Sequence, residues 1–129
     1  MKMIKLGDEF RIIVDICNAF GYNYRGYRKA TLRHTKNELF WFPKAVKKNN
    51  PWINELLDNG QTIQEKYRVD MERVSHVNDY LEKTNVKTRI TFIKLKNNYV
   101  YVGNFQLDKT RTNVHDGLIW KRTGVEIET

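Results

Sequence analysis

An α+β fold, built on one curved antiparallel sheet or partly closed β-barrel with an N-terminal amphipathic helix and a short second helix, is predicted by three features of the 129-residue sequence. Apolar residues recur at helical spacing between Phe10 and Phe20. Two long alternating runs, 88–96 and 99–107, flank Asn97-Asn98. A second turn signal, Asp58-Asn59-Gly60, separates two further apolar segments. The length suits a single domain spanning 1–129.

In chain order, Asp8 reads as an N-cap, followed by Phe10, Ile13, Val14, Cys17 and Phe20 on one face, with Arg11, Asp15 and Asn18 opposite. Gly21 sits where a left-handed helix-terminating glycine belongs. The spacing therefore predicts a helix over 8–20, with Cys17 buried on its apolar stripe. Residues 21–28, rich in glycine and tyrosine, read as a loop. Strands over 29–34 and 38–42 follow, joined at Thr35-Lys36-Asn37, and Pro43 ends the second. Residues 44–51 read as a polar surface loop.

Asn59-Gly60 tolerates positive φ at both residues, which favours a hairpin from 52–57 to 61–65; a helical turn over 52–57 is the alternative. Ser75 is positioned to cap a short helix over 76–83. With Asn97-Asn98 as the turn of the main hairpin, Lys96 faces Tyr99 and Lys94 faces Tyr101, while Ile93, Leu95, Val100 and Val102 share the opposite, core-facing side. In that register Gly103 leaves room for the ring of Phe92. The Lys/Tyr face is either half-solvated, with lysine stems covering rings, or a surface for stacking and phosphate contact. A last strand is expected over 117–122, and Val125 and Ile127 then alternate with Glu126 and Glu128.

The charge is uneven. The chain carries +8 overall, and residues 25–48 alone hold eight cations (Arg25, Arg28, Lys29, Arg33, Lys36, Lys44, Lys47, Lys48) against Glu38. The segment 49–83 is acidic instead. The basic stretch and its edge also contain Tyr22, Tyr24, Tyr27, Phe40, Trp41 and Phe42. Cations that meet phosphates beside rings that stack on bases form a nucleic-acid footprint; a solvated basic loop beside core aromatics is the plainer reading.

Catalytic and metal motifs are sparse. His34, His76 and His115 are scattered, and Cys17 is the lone cysteine, which excludes an internal disulfide and a multi-cysteine zinc site. No Gly-x-Gly-x-x-Gly, Walker loop or Gly-x-Ser-x-Gly occurs, and Ser75 is the single serine. No cofactor or metal is expected, and catalysis is disfavoured. Only His115-Asp116 suggests an acid–base pair. The longest apolar runs, Ile12-Ile13-Val14 and Leu39-Phe40-Trp41-Phe42, fall far short of a membrane span, and the N-terminus turns acidic too early for an export signal. A soluble cytoplasmic protein is expected.

Four segments together carry a family resemblance: Asn23-Tyr24-Arg25-Gly26-Tyr27, Leu39-Phe40-Trp41-Phe42-Pro43-Lys44, Tyr99-Val100-Tyr101-Val102-Gly103-Asn104-Phe105-Gln106-Leu107-Asp108 and Ile119-Trp120-Lys121-Arg122. The order of this Gly-x-Phe-x-Leu strand followed by a Trp-Lys-Arg strand is similar to small β-rich modules attached to bacterial restriction and HNH endonucleases, within the PUA-like folds that include SRA and EVE domains. The resemblance implies a curved, partly closed barrel with flanking helices. It also implies recognition of DNA or RNA through a modified base held in a pocket after flipping. The expected function is non-catalytic nucleic-acid binding, DNA ahead of RNA. Arg25, Arg28, Lys29, Arg33, Lys44 and Lys94 are the candidate phosphate contacts, and Tyr24, Tyr27, Trp41 and Tyr101 the candidate stacking rings. The alternative is a small inhibitor or adaptor, for example phage-encoded, docking its basic face on an acidic protein partner.

Overall fold

The computed structural model describes residues 2–45 and 50–129. Residues 46–49, including Lys47 and Lys48 and half of the expected 44–51 loop, lie outside the described residues. Ten strands and two helices follow one another as β1 (Met3–Lys5), β2 (Glu9–Phe10), α1 (Ile13–Ala19), β3 (Thr31–Thr35), β4 (Glu38–Trp41), β5 (Trp52–Leu57), β6 (Thr62–Tyr67), α2 (Asp70–Glu82), β7 (Thr88–Leu95), β8 (Asn98–Leu107), β9 (Leu118–Gly124) and β10 (Glu126–Glu128). The main sheet runs β3-β4-β7-β8-β9-β6-β5, with β2 alongside β8, and β1 pairs with β10 in a separate ribbon. The α+β class and the curved sheet match expectation, but the sheet is mixed and does not close. β4 and β7 are parallel, because the β5–β6 hairpin and α2 form the crossover that a parallel pair requires. Alternation in sequence sets faces, not strand direction, so this pairing was invisible to it.

Both faces of the sheet are buried. One core gathers Ile16, Cys17, Phe40, Phe42, Phe92 and Tyr101. The other gathers Trp41, Ile63, Val77, Ile93, Phe105 and Trp120. Helix α1 contributes to the first and α2 to the second. This explains why β7 is buried over Arg89–Ile93 without alternation: a central strand covered on both sides needs apolar residues on each.

The main hairpin turns one residue earlier than expected. Lys96 takes φ +53° and the turn is Lys96-Asn97, so Leu95 faces Asn98, Lys94 faces Tyr99 and Phe92 faces Tyr101. Asn98 opens β8 instead of turning, and its amide donates to Glu9 Oε1 of β2 at 3.0 Å. From Phe92 to Leu95 the register differs from expectation by two residues, so side chains there keep their face while their cross-strand partners change; beyond the bulge it differs by one, and Phe105 moves to the face of Ile93 and Val102. A bulge between Thr91 and Phe92 places Gly103 opposite Thr91. Gly103 holds φ +127°, and a Cβ there would sit 2.5 Å from Arg122 Cδ; the room it leaves is for the Arg122 stem, not the Phe92 ring.

Two helix starts also differ. Asp8 does not cap α1: its Oδ2 accepts the Lys5 N–H at 2.9 Å, and Glu9-Phe10 then pairs with Val100 and Tyr99 before the helix begins. Helix α2 starts at Asp70, leaving Ser75 inside it. Asp70 and Glu72 in the first turn favour the positive helix end, and Asp70 pairs with Arg73 at 2.7 Å. The last main-sheet strand extends to Gly124, and the alternating 126–128 segment pairs with β1.

Gly117 is the tightest backbone junction, with φ +89° and a virtual Cβ 2.4 Å from the Glu65 carbonyl oxygen. Gly117→Ala should therefore destabilise the protein by about 2–4 kcal/mol, read from urea unfolding. Gly7→Ala, also at positive φ but with nothing within 4 Å, should cost only the backbone strain, about 1–2 kcal/mol.

Candidate nucleic-acid interface

A cleft of about 660 Å³ opens where β4, β5, β6, β7 and the loops around 11–13 and 27–30 converge. Its exposed lining is basic, with Arg11, Arg28, Lys29 and Lys44, joined by half-buried Lys94. Its buried lining includes Trp41, Phe42, Asn54, Glu65, Arg89 and Tyr99. Half-buried Tyr27 and Trp52 complete two of its sides.

The hairpin β5–β6 supplies the polar pair. Asn54 and Glu65 face each other directly, between Trp52–Tyr67 and Leu56–Ile63 on the same sheet face. Two polar residues in an otherwise apolar row are the signal that sequence reading passed over. Glu65 is 8% exposed, and its Oε1 accepts from Arg89 Nη1 at 3.2 Å and from Trp120 Nε1 at 3.1 Å. The Arg89 guanidinium lies 4.0 Å from the Trp120 ring centroid and 4.4 Å from that of Trp41, and Nη2 donates to Tyr80 Oη at 2.9 Å. Arg89 is thus paired, hydrogen-bonded and set against aromatic faces, which is what a buried cation requires.

Asn54 is 7% exposed. Its Nδ2 donates to the Lys44 carbonyl at 3.2 Å, which fixes the orientation of the amide. Its Oδ1 is the one buried side-chain polar atom among the described residues without a hydrogen-bond partner. An acceptor left dry in a cleft costs about 1–3 kcal/mol unless something supplies a donor.

The expected contact residues divide. Tyr27, Arg28, Lys29, Trp41, Lys44 and Lys94 meet at the cleft. Tyr24 stands beside it, stacked on Tyr27 at 5.5 Å and on Tyr22 at 5.9 Å. Asn18 clasps the Tyr24 backbone from both sides, accepting from its N–H and donating to its carbonyl, so this loop is held. Arg25 and Arg33 are exposed but do not line the cleft. Tyr101 is fully buried, its hydroxyl donates to Asn104 Oδ1 at 2.8 Å, and burial pushes its phenol well above the ordinary range. Its ring belongs to the first core and presents no face to a base.

Trp41 is only 3% exposed, packs on Trp120 at 5.8 Å and carries the Arg89 guanidinium over its ring, so it has no open stacking face. In the loop before β9, Asn113 Oδ1 accepts the N–H groups of both His115 and Asp116, and Asp116 Oδ2 accepts from Asn113 Nδ2. These contacts account for the pair as a closed turn. Among the described residues no three His, Cys, Asp or Glu side chains gather as for a metal ion. No helix among them is long and apolar enough to cross a membrane.

The structure is similar to that of the 5-hydroxymethylcytosine-specific restriction enzyme AbaSI, with a TM-score of 0.82 and 28% identity over 98% of this chain. The chain spans 42% of that enzyme's length. No curated protein matches it by sequence. The SET and RING associated domain family matches residues 1–129. With the whole chain matched, the protein belongs to the SRA domain family.

Proposed function

We propose that this chain is a non-catalytic reader of DNA that holds a modified base, drawn out of the duplex, in the cleft between β4 and the β5–β6 hairpin. The observation that carries the reading is the orphaned Asn54 Oδ1, a buried acceptor in a cleft rimmed by cations. A flipped base is read by hydrogen bonds to its polar groups, and the hydroxyl of a 5-hydroxymethyl substituent, absent from unmodified cytosine, supplies the donor that Asn54 lacks. The cleft volume of about 660 Å³ falls within the ordinary range for small-ligand sites and leaves room for a substituent on the ring. Arg11, Arg28, Lys29, Lys44 and Lys94 line the same cleft, and in this reading they meet the flanking phosphates. The likeness to a 5-hydroxymethylcytosine-specific enzyme supports a modified cytosine over other bases. Family membership favours DNA over docking on an acidic protein partner.

The test is a panel of unmodified and 5-hydroxymethylcytosine duplexes, with single-stranded DNA and RNA beside them, measured at two or more salt concentrations. Replacing Arg28, Lys29 and Lys44 together by alanine should weaken binding to every duplex and flatten the slope of log affinity against log salt by about 2–3. Preference among duplexes should barely change, since phosphates carry no base information. An unchanged slope would move the DNA surface elsewhere.

Asn54→Leu should do the opposite. It should cost about 1–3 kcal/mol of preference for the modified duplex and leave the salt slope intact. Folding stability should change little, because removal of the unsatisfied oxygen offsets loss of the Nδ2 bond to the Lys44 carbonyl. A variant that keeps the full preference for the modified duplex would remove Asn54 from base reading.

A further inference from the structure

No residue of helix α2 lines the cleft, yet α2 touches two residues that do. Its half-buried His76 meets the Trp52 ring edge-on at 4.8 Å. On its other side the imidazole meets Tyr80 at 4.9 Å. Trp52 lines the cleft directly. Tyr80 reaches it through Arg89, whose Nη2 donates to the Tyr80 hydroxyl at 2.9 Å. One imidazole therefore braces both the aromatic side of the cleft and the cation behind it.

The charged and titratable groups around His76 come from three elements. Glu65 on β6 and Asp79 on α2 favour its protonated form, while Arg89 on β7 and Lys83, just past the end of α2, oppose it. Lys83 Nζ already lies 4.0 Å from the Tyr80 ring centroid. Burial dominates and holds the imidazole below its ordinary range. Protonation would place a further cation beside rings already occupied by Arg89 and Lys83, inside a poorly solvated cluster.

We propose that His76 is a positioning residue whose neutral ring holds Trp52 and Tyr80 in place, so that discrimination of the modified base is lost on acidification. This rests on the cleft being the base site. The folded state prefers the neutral ring, so the support is complete above the unfolded value near 6.5. It is lost as pH falls through the lower folded value, where the native ring takes up its proton. General phosphate binding, which depends on the exposed lysines and arginines, is not routed through His76.

The experiment has two arms. In the first, tryptophan emission of the free protein is titrated. A transition with a midpoint below about 6.5 is expected, absent from His76→Phe and from Trp52→Phe. In the second, the affinity ratio of a 5-hydroxymethylcytosine duplex to its unmodified counterpart is measured from about pH 7.5 down through the midpoint found in the first arm. The wild-type ratio should fall about threefold or more, whereas that of His76→Phe, which keeps a ring without a proton to gain, should stay flat. His34 and His115 are present in both proteins, so their titration cancels in the comparison. His76→Gln serves as a second non-titrating variant should the Phe variant fold poorly.

A flat wild-type ratio, or one falling equally in the variants, overturns the proposal. An emission transition in Trp52 with no change in the ratio overturns it too, while leaving the base cleft standing. A protein that prefers no modified duplex at any pH overturns the cleft reading itself, and the proposal with it.

Discussion

The buried pair Arg89–Glu65 is the constraint around which the molecule is arranged. Its carboxylate and guanidinium are 10% and 6% exposed, too dry for water to compensate either charge. Such a pair is tolerated only where every remaining donor and acceptor finds a partner. Here the partners come from across the chain: Trp120 from β9, Tyr80 from α2, and the ring of Trp41 from β4. Strands far apart in sequence must converge for the pair to exist. Breaking it would strand one charge, which costs more than the pair contributes.

That convergence also makes the cleft. β4 and β5 lie toward opposite edges of the open sheet, separated by β7, β8, β9 and β6. Curvature brings these parts together closely enough for Asn54 of β5 to donate to the carbonyl of Lys44, just beyond β4. The seam is bridged there and open beside it. A fully closed barrel would fill its interior with side chains. The open seam instead leaves a cavity with buried polar atoms inside and cations outside.

Much of the scaffold was legible because it rests on local chemistry. The Asn59-Gly60 turn places both residues at positive φ, and the two strands it joins pair as the alternation implies. The pair β3–β4 and the long β7–β8 hairpin were equally visible. What sequence missed was set by distant partners. Asp8 looks like a cap until Lys5 takes its carboxylate, and Asn98 looks like a turn residue until Glu9 holds it. The candidate site split along the same line. Exposed cations betray themselves by clustering, so Arg28, Lys29 and Lys44, which line the cleft, stood out in the sequence. Asn54, Glu65 and Arg89 were not, because a lone polar residue in an apolar strand reveals its role only when the strand opposite is known. Tyr101 failed for the converse reason: its alternation with lysines suggested a wet face that α1 and Phe92 in fact cover.

The two kinds of residue imply two kinds of work. Exposed cations act through the phosphate backbone, at long range and without regard to sequence, and their contribution falls as salt rises. Buried acceptors act only at contact, and in a dry site they penalise any ligand that lacks a matching donor. Asn54 belongs wholly to the second kind. Its amide nitrogen is spent on holding the seam, so its oxygen is left with a fixed direction and no partner. An unsatisfied acceptor weakens the empty protein and so serves no purpose in the fold itself. It becomes favourable only when a donor enters the cleft, and the free energy recovered then depends on that donor being present. On the proposed reading, rim and interior together separate holding DNA from choosing a base.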